Sequence, residues 1–372
     1  MSVSEKQTVE IVKVLYRGAE ILILDEPTAV LTPQETEKLF AVLRKMKKDG
    51  KSIIIITHKL HEVMAISDRV TVLRKGAYIG TVATSETDSK ALTDMMVGEK
   101  VELNIERTPP AKDYDRLIVS NLTMYNKEGI RVLNDISFRA KAGEILGIAG
   151  IAGSGQRELL ETIAGLHKAN SGEITYLHHK TGELVNLRAK TPLQIRDLGI
   201  RLSFVPEDRL GMGLVGNMDI IDNMMLRSYK KGKSLFVDRK PPKTLAENII
   251  ESLQVATPNA QTPVRRLSGG NVQKVLVGRE IAAAPSVLMA AYPVRGLDIN
   301  SSYLIYNLLN EQKKKGVAVI FVGEDLDVLL ALCDKIMVIS QGTVTGMLDG
   351  REAKKDEVGL LMTKGAGKEE AQ

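Results

Sequence analysis

Short aliphatic runs alternate with helical periodicity along the first hundred residues. Ile21-Leu22-Ile23-Leu24, Ser52–Thr57 and Val70–Leu73 read as strands. Val9–Tyr16 is helical in pattern, and Pro33 opens an amphipathic helix that runs through Lys48 until Gly50 stops it. Continuous apolar runs between helices predict buried parallel strands, with a turn at Lys75-Gly76 after the third. Residues 99–115, with Pro109-Pro110 and mixed charge, read as a linker. A new unit begins near Leu117, with strands predicted around Leu117–Ser120, Val132–Phe138 and Glu144–Leu146 and a helical pattern from Glu158. Residues 217–265 are more helical and polar, with breaks at Lys230-Lys231, Lys233 and Pro241-Pro242, and Gly365–Gln372 reads as a disordered tail. The fold class is therefore α/β.

A repeat organises these elements. Pro27 pairs with Pro293 (293 − 27 = 266), and the same offset pairs Asp68 with Asp334, Gly76 with Gly342 and Gly80 with Gly346. An ungapped register over about eighty residues predicts two copies of one domain. The offset carries Leu267-Ser268-Gly269-Gly270-Asn271 onto Met1-Ser2-Val3-Ser4-Glu5, so the first copy would begin part-way through the domain and is expected to be N-terminally truncated.

Composition narrows the class. The 372 residues suffice for about two to three domains, and 44% hydrophobic with 26% charged residues is ordinary for a globular protein. No apolar run approaches the ~18–20 residues of a membrane helix. The single cysteine, Cys333, excludes an internal disulfide framework and fits a reducing compartment. A net charge of +5 admits nucleic acid, but aromatics are only 4% with no Trp, so the excess charge reads as modest basicity over Lys-rich helices with no nucleic-acid partner.

Three stretches carry chemistry. Gly147-Ile148-Ala149-Gly150-Ile151-Ala152-Gly153-Ser154-Gly155-Gln156-Arg157 follows a strand and enters a helix, the context in which backbone N–H groups cradle phosphates. A phosphate-loop ATPase would read GxxxxGK[ST]; here Gly150 to Gly155 supplies the glycines, with Gln156 and Arg157 in place of the lysine and hydroxyl. Asp25 and Glu26 end the strand Ile21–Leu24, where α/β proteins place their ligands. One carboxylate can hold Mg²⁺ and the next can polarise a water. Ser268, Gly269 and Gly270 open a helix and form an anion site by geometry, although Ser268 alone is a plain N-cap. His58 follows the strand Ile53–Thr57, where its imidazole is either a γ-phosphate partner or structural.

Together these stretches resemble the ATP-binding cassette family. Leu267–Asn271 is similar to its signature, Ile21–Thr28 to its Walker B segment and Thr57-His58 to its histidine switch. The resemblance covers nearly the whole chain and is nearest to the tandem ATPase subunits of carbohydrate-type importers. The Gly150–Gln156 loop, Val205–Arg209 and Gly296-Leu297-Asp298 look like their second cassette, and Ala290-Ala291 like the branch serving nucleosides and basic membrane lipoprotein-type binding proteins. It implies a phosphate-loop fold with a mixed sheet core and a helical subdomain, in one partial copy (1–98), a linker (99–115), one complete degenerate copy (116–362) and a tail (363–372). It also implies ATP and Mg²⁺ as cofactors, Asp25 as metal ligand, Asp25, Glu26 and His58 as the catalytic set, and Glu207 at the position of a glutamine loop. Tyr125 is a candidate to stack adenine and equally a core or surface tyrosine.

By the offset, Asp25 becomes Ala291, Glu26 becomes Tyr292 and His58 becomes Glu324. Loss of one charge-stabilising group commonly lowers a rate ~10²–10³-fold. The second copy is therefore expected to bind nucleotide at most. The first keeps hydrolytic residues without a cradle, and Ile21–Leu24 is expected to neighbour the absent cradle strand and be left with an exposed edge. The resemblance implies a subunit peripheral on the cytoplasmic membrane face. Its implied partners are permease subunits, a substrate-binding lipoprotein and a further cassette chain, with residues around 210–265 facing the permease. The chain as given is expected to hydrolyse ATP poorly or not at all. A non-catalytic interaction module that binds nucleotide and modulates a partner cassette is the competing reading. A soluble cassette acting on ribosomes or DNA fits less well, because 99–115 is short and holds two prolines. The transported substrate is not encoded in such a subunit.

Overall fold

Alternating burial decides how the first hundred residues pack. In β1 (Ile21–Asp25), Leu22 and Leu24 point inward, and Ile53 and Ile55 of the parallel strand β2 (Ser52–Ile56) join them. Both pairs meet Leu39, Phe40 and Leu43 on the apolar face of α1 (Pro33–Lys48). Lys45, Lys47 and Lys48 complement the dipole in its last turn, and Gly50 at φ +83° ends it. After α2 (Leu60–Ile66) come β3 (Arg69–Arg74) and β4 (Ala77–Ala83), then α3 (Ser89–Val97). The expected third parallel strand is not one: β3 pairs antiparallel with β4 in a separate two-stranded sheet. The computed structural model describes residues 9, 13, 19–28, 33–57, 59–74, 76–97, 105, 107–110, 114–151, 153–204, 213–226, 228–229, 237–295, 297, 299–323 and 325–363. Most of Val9–Tyr16, Met1–Glu5, His58, Val205–Arg209 with Glu207, Gly296, Asp298, Glu324 and the tail from residue 364 lie outside them.

The chain divides into two units, residues 1–104 and 105–372. In the second, β5 (Asp115–Tyr125), β6 (Arg131–Lys141), β8 (Ser171–Leu177) and β9 (Leu184–Asn186) form an antiparallel sheet in the order β6-β5-β8-β9. A mixed six-stranded sheet follows the order β10-β11-β12-β7-β13-β14. Its strands are β7 (Ile145–Ala149), β10 (Ile200–Phe204), β11 (Val287–Ala291), β12 (Ala318–Val322), β13 (Lys335–Ser340) and β14 (Thr343–Asp349). All pairings are parallel except β13 with β14. Every residue of β7, β11 and β12 is buried, as strands covered on both faces must be.

One face of that sheet packs on the antiparallel sheet and on α4 (Gln156–Ile163) and α5 (Pro192–Asp197). The other packs on α6 (Ile220–Met225), α7 (Lys240–Ser252), α8 (Gly269–Ala282), α9 (Ile299–Lys314), α10 (Leu326–Leu332) and α11 (Lys355–Thr363). Pro241-Pro242 is not a break: the pair sits in the first turn of α7, where the missing N–H groups have no partner to lose. Residues 105–110 belong to the second unit, where Arg107 Nη1 donates to the Cys333 carbonyl at 2.6 Å and Ile105 joins the core.

The strands and α-helices of residues 21–97 recur in 287–363 with identical limits displaced by 266, while the 3-10 turn Thr84–Glu86 has no counterpart. Registers recur too: Ile21 faces Ser52 as Val287 faces Ala318, and the irregularity between Val72 and Leu73 reappears between Val338 and Ile339. Surroundings differ. Ile21, Ile23, Ile54 and Ile56 are 63%, 64%, 51% and 52% exposed, whereas Val287, Met289, Ile320 and Val322 are buried against the antiparallel sheet. The sheet order also corrects one expectation. The glycine-loop strand β7 lies between β12 and β13, not beside β11, so the counterparts of its neighbours are β2 and β3 rather than β1.

Candidate functional site

In a parallel sheet the strands end at one edge, and ligand chemistry gathers beyond it. Asp25 closes β1 opposite Ile56. Glu26 turns the chain in the left-handed region at φ +46°, and its N–H donates to the Ile56 carbonyl at 2.8 Å. Asp25 is exposed and Glu26 half-buried, so two adjacent carboxylates stand at the edge where Thr57 continues β2. Thr28 Oγ1 donates to Glu62 Oε2 at 2.6 Å, both buried. Lys59 Nζ donates to the Thr28 carbonyl at 3.0 Å and lies 3.2 Å from Glu62 Oε1. This brace ties the turn after β1 to the start of α2. Sequence reasoning missed Thr28, Lys59 and Glu62, although a glutamate on the inward side of an amphipathic helix was a readable sign.

The second unit keeps the backbone and replaces the side chains. Ala291 ends β11, and Tyr292 repeats the turn at φ +52° with its N–H on the Val322 carbonyl at 2.9 Å. By the offset, Thr28, Lys59 and Glu62 correspond to Val294, Asp325 and Val328; the two valines pack on the core, and Asp325 caps α10. The polar brace and the carboxylates are absent together.

The glycine loop leaves β7 at the same edge. Gly153 and Gly155 take φ +86° and +101°, where a side chain would be strained. The Ser154 N–H donates to the Ile151 carbonyl at 3.0 Å, and its own carbonyl accepts from the Gly342 N–H at 3.0 Å. A Cβ on Gly155 would meet Leu133 and the Val132 carbonyl at 2.9 and 3.0 Å, so β6 presses on the loop directly. Gln156 is buried at the first turn of α4, and its Nε2 donates to the Ile151 carbonyl at 3.2 Å, across the mouth of the loop. Arg157 Nε binds Glu161 Oε1 at 2.8 Å, and Glu161 Oε2 lies 2.9 Å from His167 Nε2. The loop supplies a backbone cradle, but positions 156, 157 and 291 offer neither an ammonium, a hydroxyl nor a carboxylate. These side chains do not fit a Mg²⁺–nucleotide. Among the described residues no group of three or more His, Cys, Asp and Glu side chains could hold a metal. A lone carboxylate such as Asp25 fits Mg²⁺ only when a nucleotide supplies the remaining oxygens.

Ser268 caps α8. Its Oγ accepts from the Asn271 N–H at 3.4 Å and from Asn271 Nδ2 at 2.9 Å. Gly269 is exposed, and a Cβ on Gly270 would meet only Leu297 at an ordinary 3.4 Å, so the chain's own packing does not demand that glycine. Tyr125 ends β5 opposite Arg131, 44% exposed, with its N–H on Asn170 Oδ1 at 2.9 Å. Gly150, Gly153, Ser154, Gly155, Gln156 and Arg157 thus converge in one loop. Asp25 and Glu26 stand together in the other unit.

The sequence family described as ABC transporter matches residues 133–293. The guanosine import ATP-binding protein of Bacillus subtilis is 42% identical over 372 residues, 99% of this chain and 71% of that protein. This chain belongs to the ABC transporter ATP-binding family. A glucose import ATP-binding protein of Haloferax volcanii is 38% identical over 370 residues, 98% of this chain and 66% of that one. The chain therefore spans about two thirds of the length of the curated relatives it matches. A nucleotide-free ATP-binding cassette from an ABC transporter superposes with a TM-score of 0.54 at 23% identity, covering 67% of this chain and 96% of that one, which fixes the cassette fold. Among the described residues no helix is long and apolar enough to cross a membrane.

Proposed function

We propose that this chain is part of the ATP-binding subunit of an importer for sugars or nucleosides. It would attach at the cytoplasmic membrane face to permease subunits that work with a substrate-binding lipoprotein of the basic membrane type. The printed functions of the glucose and guanosine relatives support the substrate class, and conserved limits at an offset of 266 support two cassette copies. In this reading Asp25, Glu26 and His58 are the hydrolytic set, with Asp25 toward Mg²⁺. The loop Gly150–Arg157, with Tyr125, Glu207 and the helix start Ser268–Gly270, handles nucleotide without hydrolysis.

One comparison carries the division of labour. At the same left-handed corner, one unit holds Asp25-Glu26 and the other Ala291-Tyr292. A general base and a metal carboxylate are present in one place and absent from its counterpart. Among the described residues, the strand–glycine-loop–helix segment β7–Gly150–α4 lies in the unit whose corner holds Ala291-Tyr292.

The test is equilibrium binding of a fluorescent ATP analogue with Mg²⁺ or with EDTA, together with phosphate release. The expected result is weak binding of equal strength in both conditions, with release at the buffer rate. Mg²⁺-dependent turnover abolished by Glu26→Gln would overturn the impaired-hydrolysis reading. The exposed apolar face of β1 and β2 favours a second reading, in which the chain binds nucleotide and modulates another cassette polypeptide.

A further inference from the structure

The first turn of α4 holds a cation at the end of a helix that favours anions. Gly155, at φ +101°, caps the helix, so Gln156 and Arg157 are its first two residues. The unpaired N–H groups and the macrodipole make that end positive, and a guanidinium there lies against the field. Arg157 Nε donates to Glu161 Oε1 at 2.8 Å, one turn further on. A cation preceding an anion is the weaker order for such a pair. The Arg157 side chain is 48% exposed, so core packing does not call for it either. A local rule broken without a gain in stability marks a functional position.

The rest of the loop is neutral. Arg157 is the only charged residue from Gly147 to Arg157. The buried Gln156 amide donates to the Ile151 carbonyl at 3.2 Å, and a Cβ on Gly150 would collide with its Nε2. Gln156 therefore fastens the loop from within and brings no charge to it. The corner after β11 holds Ala291 and Tyr292, so no carboxylate comes from that side. Mg²⁺ would find no anionic side chain in the loop or the corner, and a guanidinium to repel it.

We infer that Gly150–Arg157 takes the phosphate chain of a nucleoside polyphosphate free of Mg²⁺, with the Arg157 guanidinium supplying the positive charge that a metal ion supplies elsewhere. A guanidinium donates two parallel N–H groups to phosphate oxygens, which a point charge cannot do. The entering chain draws Arg157 from Glu161 Oε1. Glu161, with its side chain 12% exposed, keeps its contact with His167 Nε2, 2.9 Å from Oε2. The carboxylate is therefore not stranded when Arg157 leaves it. The inference deepens the proposed function and rests on its nucleotide-binding reading, to which it adds the metal state of the ligand and the residue that sets it.

The experiment is calorimetric titration of the full chain with ATP, and separately with inorganic tripolyphosphate, in EDTA and in excess Mg²⁺. The wild-type chain binds ATP equally in both buffers. Arg157→Ser, checked by circular dichroism, weakens both ligands about tenfold or more in EDTA, the scale of a charge-assisted hydrogen bond. Mg²⁺ then restores about threefold for ATP, because the new hydroxyl and the phosphate oxygens share the metal. Arg157→Lys stays between the two. Lys168→Ser, which removes the same charge from an exposed position nearby in sequence, changes nothing. Glu161→Gln loosens the hold on Arg157 and tightens ATP about twofold to fivefold, the worth of a partly exposed pair. Binding that requires Mg²⁺ overturns the inference and leaves the nucleotide-binding reading standing. So does an Arg157→Ser chain that binds either ligand like the wild type. No binding of ATP in either buffer overturns both.

Discussion

Replacing Lys313 with methionine removes an ammonium that is 0% exposed and bonded to Asp334 Oδ1 and to the Thr108 carbonyl. Methionine matches the length and most of the volume of lysine, so the packing change is small and the electrostatic change dominates. Asp334, 6% exposed, would be left as a buried carboxylate held by one backbone N–H. Breaking a buried pair from one side costs about 3–5 kcal/mol, because the surviving charge has no compensation. The internal control is Lys47→Met, which breaks the equivalent pair at side chains 55% and 70% exposed. Solvent-screened pairs contribute under about 1 kcal/mol. For a unit of this size each kcal/mol moves the midpoint by about 2–4 °C, so Lys313→Met should lower the melting of 105–372 by roughly 10 °C. Lys47→Met should be close to silent. Thermal melts with unit-resolved amide exchange make the comparison. The double variant Lys313→Met/Asp334→Asn should recover over half the loss, since an amide oxygen still accepts from the Ile145 N–H without a buried charge. Equal shifts for the two lysine variants, or no recovery in the double variant, would refute the reasoning.

Two further outcomes are expected. Amides of 21–97 should exchange faster than their counterparts 266 residues on, because β1 and β2 rest on one small cluster while β11 and β12 are covered on both faces; equal protection in matched pairs would contradict this. Gly147→Ala places a Cβ 2.7 Å from Cys333 Sγ and 2.9 Å from Leu329 Cδ2, so it should destabilise by ~1–3 kcal/mol. Burial pushes the Cys333 thiol up and keeps it inert in the native chain, so alkylation of Cys333 should accelerate in that variant.

Local pattern was legible wherever a local cause acts. Pro33 and Gly50 bound α1 because each acts through its own backbone, and Ser268 caps α8 through a bond three residues away. Neighbourhood was less legible. Ile21–Leu24 and Val287–Ala291 are both unbroken aliphatic runs, yet one alternates between core and solvent while the other is wholly buried. A continuous apolar run carries no period that says how many faces are covered. Val70–Leu73 is also mostly aliphatic and belongs to an antiparallel ribbon, because the partner of a strand is chosen by what lies beside it. The Thr28–Glu62 bond spans 34 residues and joins two elements whose separate patterns give no hint of it.

The corner after β1 and β11 has a consequence for how such a site can change. A non-glycine residue in the left-handed region carries roughly 1–3 kcal/mol of strain. Here both Glu26 and Tyr292 accept that strain while differing in charge, size and aromaticity. What holds each corner is the backbone bond to the neighbouring strand, to Ile56 in one unit and Val322 in the other. The ladder makes the socket, and the side chain is an interchangeable insert. Substitution there can add or remove a reactive group while the surrounding backbone stays as it was. A lost catalytic function at this corner is a change of insert rather than a change of fold.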